Sequence, residues 1–202
     1  MRWVPHWIIG ADCLPGRRSL PYQLGCLLPD WIDRHPIHRT DETLEIFLRR
    51  AEAARRLPKG ALRDWRVGLL AHFLCDYCTE AHNGEYRRLF RHRVYEVRHQ
   101  KRVLALRREG SPLLTRIESV PVPPALLDPE TGAEAFQTAL RDFVAGELDA
   151  LHAQIRALNS ERWYTDRRIM DLDIRYAHRL LRAFLRIMGD TETGKESDAD
   201  GR

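Results

Sequence analysis

Apolar residues recur every three or four positions along most of this chain, which is the period of an α-helix. In the first such stretch, Thr40 or Asp41 caps a helix that ends near Pro58. The dipeptide Asn83-Gly84 marks a turn between two later helices. Four more helices are predicted: about Ala61 to Thr79, roughly Glu85 to Arg108, 133–158 and 166–188. Since no two segments alternate as paired strands would, we predict an all-α, single-domain bundle of about five helices.

Two stretches outside these helices lack the period. Residues 1–29 mix apolar residues with glycine and proline, so we expect a short helix or extended piece and then a loop, with Pro29 stopping any helix before it. Residues 111–131 are rich in proline and should form a long surface loop that could wall a cleft. Because the end of the chain has almost no apolar content, the helical domain is predicted to span residues 1–189 and residues 190–202 to form a disordered tail.

The composition is that of an ordinary globular protein with a mild excess of positive charge. Of 202 residues, 44% are hydrophobic and 31% are charged, which suits one domain with an adequate core. The formal net charge is +4, and most of the cations are arginines, which bind phosphate oxygens through two parallel hydrogen bonds. This charge is compatible with a phosphate-bearing substrate or with transient contact to an anionic membrane surface.

Neither a membrane span nor a secretion signal is predicted. The chain has no run of about 18 apolar residues, and its start, WVPHWII, is too short and too polar for the core of a signal peptide. We therefore expect a cytoplasmic protein. In that reducing compartment the cysteines are not expected to form structural disulfides. The pair Cys75-x-x-Cys78 is predicted to pack inside a helix rather than to bind metal.

Two histidine–carboxylate pairs are the main candidates for chemistry. His72 and Asp76 are four residues apart, as are His92 and Glu96, so each pair shares one helix face. His82 is placed to reach a second ion close to the first. Imidazole and carboxylate are ligands of hydrolytic zinc sites. A single pair is more often an ion pair, but two pairs in one short stretch favour metal binding. In the predicted helix that carries His72 and Asp76, four apolar residues are expected to face the core: Trp65, Leu69, Phe73 and Leu74.

Further candidate ligands lie upstream of these pairs. His6 lies between two tryptophans near the start of the chain. Burying so many ionisable groups without metal would be costly, so the pattern predicts a metal site between the helices. Four candidates fall within one predicted loop: Asp30, Asp33, His35 and His38. Three histidines have no carboxylate at a useful spacing, except for Asp149 near His152, and are interpreted as surface or core residues: His99, His152 and His178.

These residues, taken in order, resemble the ligand pattern of the zinc-dependent phospholipase C family, to which the P1/S1-type nucleases are related. The resemblance covers about residues 1–100, and the rest of the chain agrees only in being helical. His38 is preferred to His35 because it directly precedes the helix cap, as in the family pattern. The matching positions are Pro29-Asp30, His38, His72-x3-Asp76-x5-His82 and His92-x3-Glu96.

The resemblance implies a cluster of zinc ions. A third ion in such enzymes uses the bridging carboxylate, here Asp76, together with a position matching His6 and the amine of an N-terminal tryptophan. Trp3 does not begin this chain, so two zinc ions are expected, and a third would depend on Met1 reaching the ion. The first zinc would be held by Asp30, His38, His72 and Asp76. The second would be held by His82, His92 and Glu96, with water completing its coordination.

The function that the resemblance implies is phosphodiester hydrolysis by a water that zinc activates. Asp30 is the candidate for orienting or deprotonating that water, and Glu96 is the alternative. The expected substrates are phospholipids or related small phosphodiesters. Two alternatives stay open: a P1-like nuclease, although no aromatic residues are interleaved with the arginines as in a base-stacking groove, and a non-catalytic helical protein stabilised by metal.

Overall fold

Eight α-helices and one 3₁₀ turn make up most of the residues that the structure, a computed structural model, describes: 3–14, 19–31, 40–79, 89–111 and 120–190. The first half contains α1 (Trp3–Cys13), α2 (Leu20–Trp31), α3 (Thr40–Arg55), α4 (Ala61–Tyr77) and α5 (Leu89–Arg108). The second half contains α6 (Pro124–Leu127), α7 (Ala133–Ala157), the 3₁₀ turn Trp163–Thr165 and α8 (Arg167–Ile187). No β-strand occurs in these ranges, which confirms the all-α, single-domain bundle.

The five helices predicted from periodicity correspond to α3, α4, α5, α7 and α8. The last two agree closely with the predicted ranges, and Asp166 caps α8 by accepting a hydrogen bond from the backbone N–H of Arg168. The predicted turn at Asn83-Gly84 lies outside the described residues. Helix α6 lies in the proline-rich stretch that was predicted to be a loop, and it begins at Pro124, as prolines commonly do at helix starts.

The N-terminal prediction was wrong in one respect. Helix α1 agrees with the short helix that was one of its two alternatives, but a second helix, α2, occupies the stretch that was expected to be a loop. Helix α2 runs through Pro29 and ends at Trp31. An internal proline costs a helix about 3 kcal/mol, because it removes one backbone hydrogen bond and crowds the preceding turn. Packing of α2 against α4 outweighs this local preference, as tertiary contacts commonly do.

Helices α2 and α4 approach each other unusually closely at two glycines. A Cβ atom on Gly68 would lie 2.2 Å from the carbonyl oxygen of Tyr22, and one on Gly25 would lie 2.4 Å from that of Trp65. Backbone atoms on both sides leave no space for any side chain. The two glycines therefore set the distance between the helices, and with it the position of every side chain along this contact.

The core lies where α8 packs against α1, α4 and α7. Among its fully buried side chains are Leu74, Phe136, Leu140, Leu181 and Phe184. Phe73 was also predicted to face the core and is 5% exposed, whereas Trp65 is 36% exposed and lies at the surface. No helix in the described ranges is both long enough and apolar enough to cross a membrane.

The end of the described chain is held by a buried ion pair. Arg63, in the first turn of α4, donates to Oδ1 of Asp190 at 2.5 Å and also to the carbonyl oxygen of Met188. Arg63 and Asp190 are only 3% and 8% exposed. Asp190 was predicted to begin the disordered tail, and the ordered domain in fact includes it. The rest of that predicted tail, residues 191–202, lies outside the described residues.

Candidate metal centre

Three of the predicted ligands meet between α1 and α4. His6 lies on α1, and His72 and Asp76 lie one turn apart on α4. One donor atom from each side chain lies within 4.8 Å of the other two, and the residues are 1%, 1% and 6% exposed. In the described ranges no other three such side chains form a group of this kind. The fold thus joins residues 70 positions apart into the His6–His72–Asp76 cluster.

The carboxylate of Asp76 faces both imidazoles, one with each oxygen. Oδ1 is 3.1 Å from Nε2 of His6, and Oδ2 is 3.2 Å from Nε2 of His72. The two imidazole rings are close neighbours, with centroids 3.9 Å apart. Since each oxygen has its own imidazole partner, Asp76 has the placement that a bridging carboxylate requires.

A second contact of His72 determines where its proton lies. Nδ1 of His72 is 2.9 Å from the carbonyl oxygen of Cys26. A carbonyl oxygen only accepts hydrogen bonds, so Nδ1 must carry the hydrogen and donate it. In the neutral ring, Nε2 then presents its lone pair to Oδ2 of Asp76, 3.2 Å away. Two acceptors this close in a buried site repel each other unless a proton or a metal ion is shared between them.

The donor set fits a divalent metal ion such as zinc. Two ligands of one tetrahedral zinc ion, each about 2.0–2.1 Å from the metal, lie about 3.3 Å apart. The two separations in the cluster, 3.1 and 3.2 Å, are close to this spacing. Zinc-binding histidines commonly donate their other N–H to a carbonyl oxygen or a carboxylate, and His72 does so toward Cys26. Both the chemistry and the spacing of the cluster therefore suit zinc.

His92 and Glu96 form the second predicted pair, on α5. Nε2 of His92 is 3.2 Å from Oε1 of Glu96, and the two side chains are 26% and 18% exposed. The pair is therefore formed and is accessible to solvent. Within the described ranges no third ligand joins it. Its predicted partner, His82, lies outside the described residues.

Two more predicted ligands lie near the C-terminal end of α2 or beyond it. The backbone of Asp30 belongs to α2 rather than to the predicted loop, because the helix continues through Pro29, and its side chain lies outside what the structure describes. In the sequence Asp30 follows Cys26, whose carbonyl oxygen bonds His72, by four residues. His38 falls outside the described residues.

Comparisons with models of protein families, with curated proteins and with solved structures found no match for this chain. The chemistry of the His6–His72–Asp76 cluster must therefore be inferred from its own residues and their geometry.

His99 is a buried histidine that the sequence did not single out as part of the site. It follows Glu96 by three residues on α5, is 0% exposed, and stacks on Tyr95 with ring centroids 5.7 Å apart. Burial lowers the pKa of His99 to about 3, so the ring is neutral at physiological pH. Of the two interpretations offered by the sequence, surface or core, the core is correct. Its position three residues after Glu96 is the signal by which the sequence could have placed it on the same helix face.

The four cysteines contribute packing rather than metal ligands. All are buried, and none forms a disulfide. Burial raises the pKa of both Cys13 and Cys26 to about 12. None of the four joins a group of three or more candidate metal ligands among the described residues. Cys75 and Cys78, which are buried in the same core, agree with the prediction that they pack as small apolar residues.

Proposed function

We propose that this protein is a zinc-dependent phosphodiesterase that resembles phospholipase C and hydrolyses phosphodiesters with metal-activated water. The observation that carries the proposal is the placement of Asp76, whose two oxygens face two different imidazoles at 3.1 and 3.2 Å. Two-metal hydrolysis uses ions about 3.5–4 Å apart. A carboxylate that offers one oxygen to each of two ions suits that separation.

The side chains of the cluster have distinct roles in this proposal. Asp76 would help to hold one ion together with His6 and another together with His72. The carbonyl oxygen of Cys26 fixes the orientation of the His72 ring, so that Nε2 stays directed at Asp76. The ion beside His6 would be the third zinc of the family pattern, and the contact between His6 and Asp76 supports that site. When bound, zinc would supply an activated water and neutralise charge on the phosphoryl oxygens.

The remaining predicted residues complete the proposed centre. Asp30 and His38 would join the ion at His72, and His82 would join the pair on α5. For handling the attacking water, we favour Asp30, which belongs to α2 four residues after Cys26. Glu96 is the alternative, and its 18% exposed side chain is within reach of solvent.

A non-catalytic metal site is the second candidate, and one observation favours it. His6 and His72 are each only 1% exposed. A structural zinc site is closed by protein ligands, whereas a catalytic one keeps a position open for water or substrate. The pair His92–Glu96 favours the catalytic alternative, because its side chains are 26% and 18% exposed and water or substrate can reach them. The two candidates differ in turnover, so they are separable by assay.

The test is metal analysis of the purified full-length protein, followed by hydrolysis assays with and without chelator. The substrates are bis(p-nitrophenyl) phosphate, phosphatidylcholine and single-stranded DNA, which also separate a phospholipase from a P1-like nuclease. We expect zinc to copurify and the chelator to abolish turnover. Asp76→Asn should lower kcat by about 100-fold or more, by comparison with the loss of other charge-stabilising groups. Asp142→Asn, at an exposed position of α7, is the matched control and should behave as wild type.

The outcomes discriminate between the candidates. Bound zinc with a raised Tm and no turnover on any of the three substrates would support the non-catalytic alternative. Turnover that survives complete chelation, or Asp76→Asn protein with full activity and full zinc content, would refute the proposed centre.

A further inference from the structure

An apolar cavity opens between α2, α3 and α4, one turn of α4 before His72. Its volume is about 370 Å³. The walls come from all three helices and are mostly apolar: Leu28, Pro29, Ala53, Trp65, Leu69 and Leu70. Ligand pockets in proteins commonly measure about 300–1,000 Å³ and combine apolar walls with a few polar groups. This cavity is at the small end of that range, so it suits one slender apolar chain rather than a bulky ligand.

Two arginines line the same cavity. Arg50 comes from α3 and Arg66 from α4, and among the described residues neither guanidinium pairs with a carboxylate. The six other residues of the lining carry no charge. An apolar chamber that contains two arginines is complementary to a molecule that has an apolar chain and an anionic end, since guanidinium binds carboxylate and phosphate oxygens through paired hydrogen bonds.

Two exposed apolar side chains belong to the helices that form the cavity. Trp65, in the lining, is 36% exposed, and Leu24, one turn before Leu28 on α2, is 41% exposed. A second copy of this chain is a poor occupant for this surface. In a two-fold symmetric dimer the same patch meets itself, so Arg50 and Arg66 would face their own counterparts, and no described residue of the lining is acidic.

We propose that this cavity binds a single-chain anionic amphiphile, with its alkyl chain among the apolar walls and its carboxylate or phosphate at Arg50 and Arg66. The site is separate from the His6–His72–Asp76 cluster, and its binding does not depend on phosphodiester hydrolysis. A lipid in a bilayer offers the same combination of chain and charge. The cavity is suited to a monomer, because its volume of about 370 Å³, lined by three helices, admits one chain.

The test uses full-length protein and decyl phosphate or decanoate at concentrations below micelle formation. Calorimetry should give one ligand per chain, and the indole signal of Trp65, assigned with Trp65→Phe among the five tryptophans, should shift on binding. Decanol, which lacks the charge, should bind about tenfold more weakly, and decyltrimethylammonium should not bind. Vesicles of phosphatidylcholine with anionic lipid form the second arm of the experiment.

Two sets of variants locate the ligand. Arg50→Gln combined with Arg66→Gln should weaken decyl phosphate about tenfold and leave decanol unchanged. Ala53→Phe should fill the cavity and abolish binding of all three ligands that bind the wild type. The matched controls, Arg49→Gln beside the cavity and Ala150→Phe on α7, are exposed positions and should bind as wild type.

Three results would overturn the proposal. The first is decyl phosphate binding that Ala53→Phe leaves intact while Tm is unchanged, because the ligand would then lie elsewhere. The second is equal affinity for decyl phosphate and decanol, which would remove the role of the arginines. The third is binding to anionic vesicles without binding of monomeric decyl phosphate, which would make the surface a membrane contact instead.

Discussion

The carbonyl oxygen of Cys26 accepts a hydrogen bond from Nδ1 of His72 across 2.9 Å, and this contact joins α2 to the candidate metal centre. It exists only because Gly25 and Gly68 let the two helix backbones touch. The orientation of a proposed metal ligand therefore depends on two residues that bear no side chain. Ligand positioning through such indirect contacts changes metal affinity by about 10- to 100-fold in other sites.

Gly68→Ala should separate α2 from α4. The new Cβ would lie 2.2 Å from the carbonyl oxygen of Tyr22, and backbone cannot move aside as a flexible side chain can. We expect a loss of about 3 kcal/mol in the free energy of unfolding, the upper end for overpacked cores, and weaker zinc binding. Urea denaturation and a zinc titration measure the two effects. Gly146→Ala is the control: nothing lies within 4 Å, and it should stabilise α7 by about 0.5–1 kcal/mol.

Arg63→Met should destabilise the protein by removing the guanidinium that forms a buried ion pair with Asp190. Removing one member of a buried ion pair costs about 3–5 kcal/mol, and Asp190 is 8% exposed. Adding Asp190→Asn should recover much of this loss, because the uncompensated charge is then gone. Thermal unfolding of the two variants checks the prediction. The control is Arg56→Met, which breaks a surface ion pair with Glu52 and should change the free energy of unfolding by less than about 1 kcal/mol. Equal destabilisation by Arg63→Met and Arg56→Met would contradict the prediction.

His178 should make stability depend on pH below neutrality. Burial, and secondarily the charge of Arg182, lowers the pKa of His178 from 6.5 to about 3. The folded protein thus resists protonation more than the unfolded chain does, so stability is complete above about pH 6.5 and is lost as the pH falls toward 3. One such group contributes a slope of about 1.4 kcal/mol per pH unit.

The variant His178→Gln isolates this contribution. Nδ1 of His178 lies 3.6 Å from Sγ of Cys13 in the core, so the substitution should lower stability at pH 7 by itself. Between pH 6.5 and 4, however, its free energy of unfolding should fall less steeply than that of the wild type. Urea denaturation at half-unit intervals gives both slopes, and parallel curves would show that His178 does not titrate on unfolding.

The ionised carboxylate of Asp166 should stabilise α8, and protonation at low pH should remove this contribution. The hydrogen bonds from Arg168 are the largest cause that lowers the pKa of Asp166 from 3.8 to about 2. This stabilisation is therefore present above about pH 4 and is lost as the pH falls from 4 to 2. Asp166→Ala should cost about 1 kcal/mol at pH 7, the usual value of an N-terminal cap, and less at pH 3. A difference between wild type and variant that stays constant down to pH 3 would contradict this role.

The sequence could predict those features of the fold that depend on helical periodicity alone. The ranges of α3, α4, α7 and α8 follow from apolar residues three and four positions apart, and such spacing produces an apolar face in any helix. The pairs His72–Asp76 and His92–Glu96 were predictable for the same reason, since helical geometry places residues i and i+4 side by side. Both pairs form, at 3.2 Å each.

The remaining features depend on contacts between distant parts of the chain. Local preferences placed a helix end before Pro29, yet packing against α4 carries α2 to Trp31. Similarly, Trp65 has the spacing of a core residue, but it is left at the surface beside a cavity.

By itself the sequence determined that this chain is an all-α domain, and it determined which histidines and carboxylates stand together on one helix turn, because both depend on periodicity alone. Only the tertiary structure decided that His6 meets His72 and Asp76. It also decided that the hydrogen bond to the Cys26 carbonyl oxygen places the proton of His72 on Nδ1. These contacts join residues up to 70 positions apart. The free energy that forms them comes from packing of whole helices, which no local pattern records.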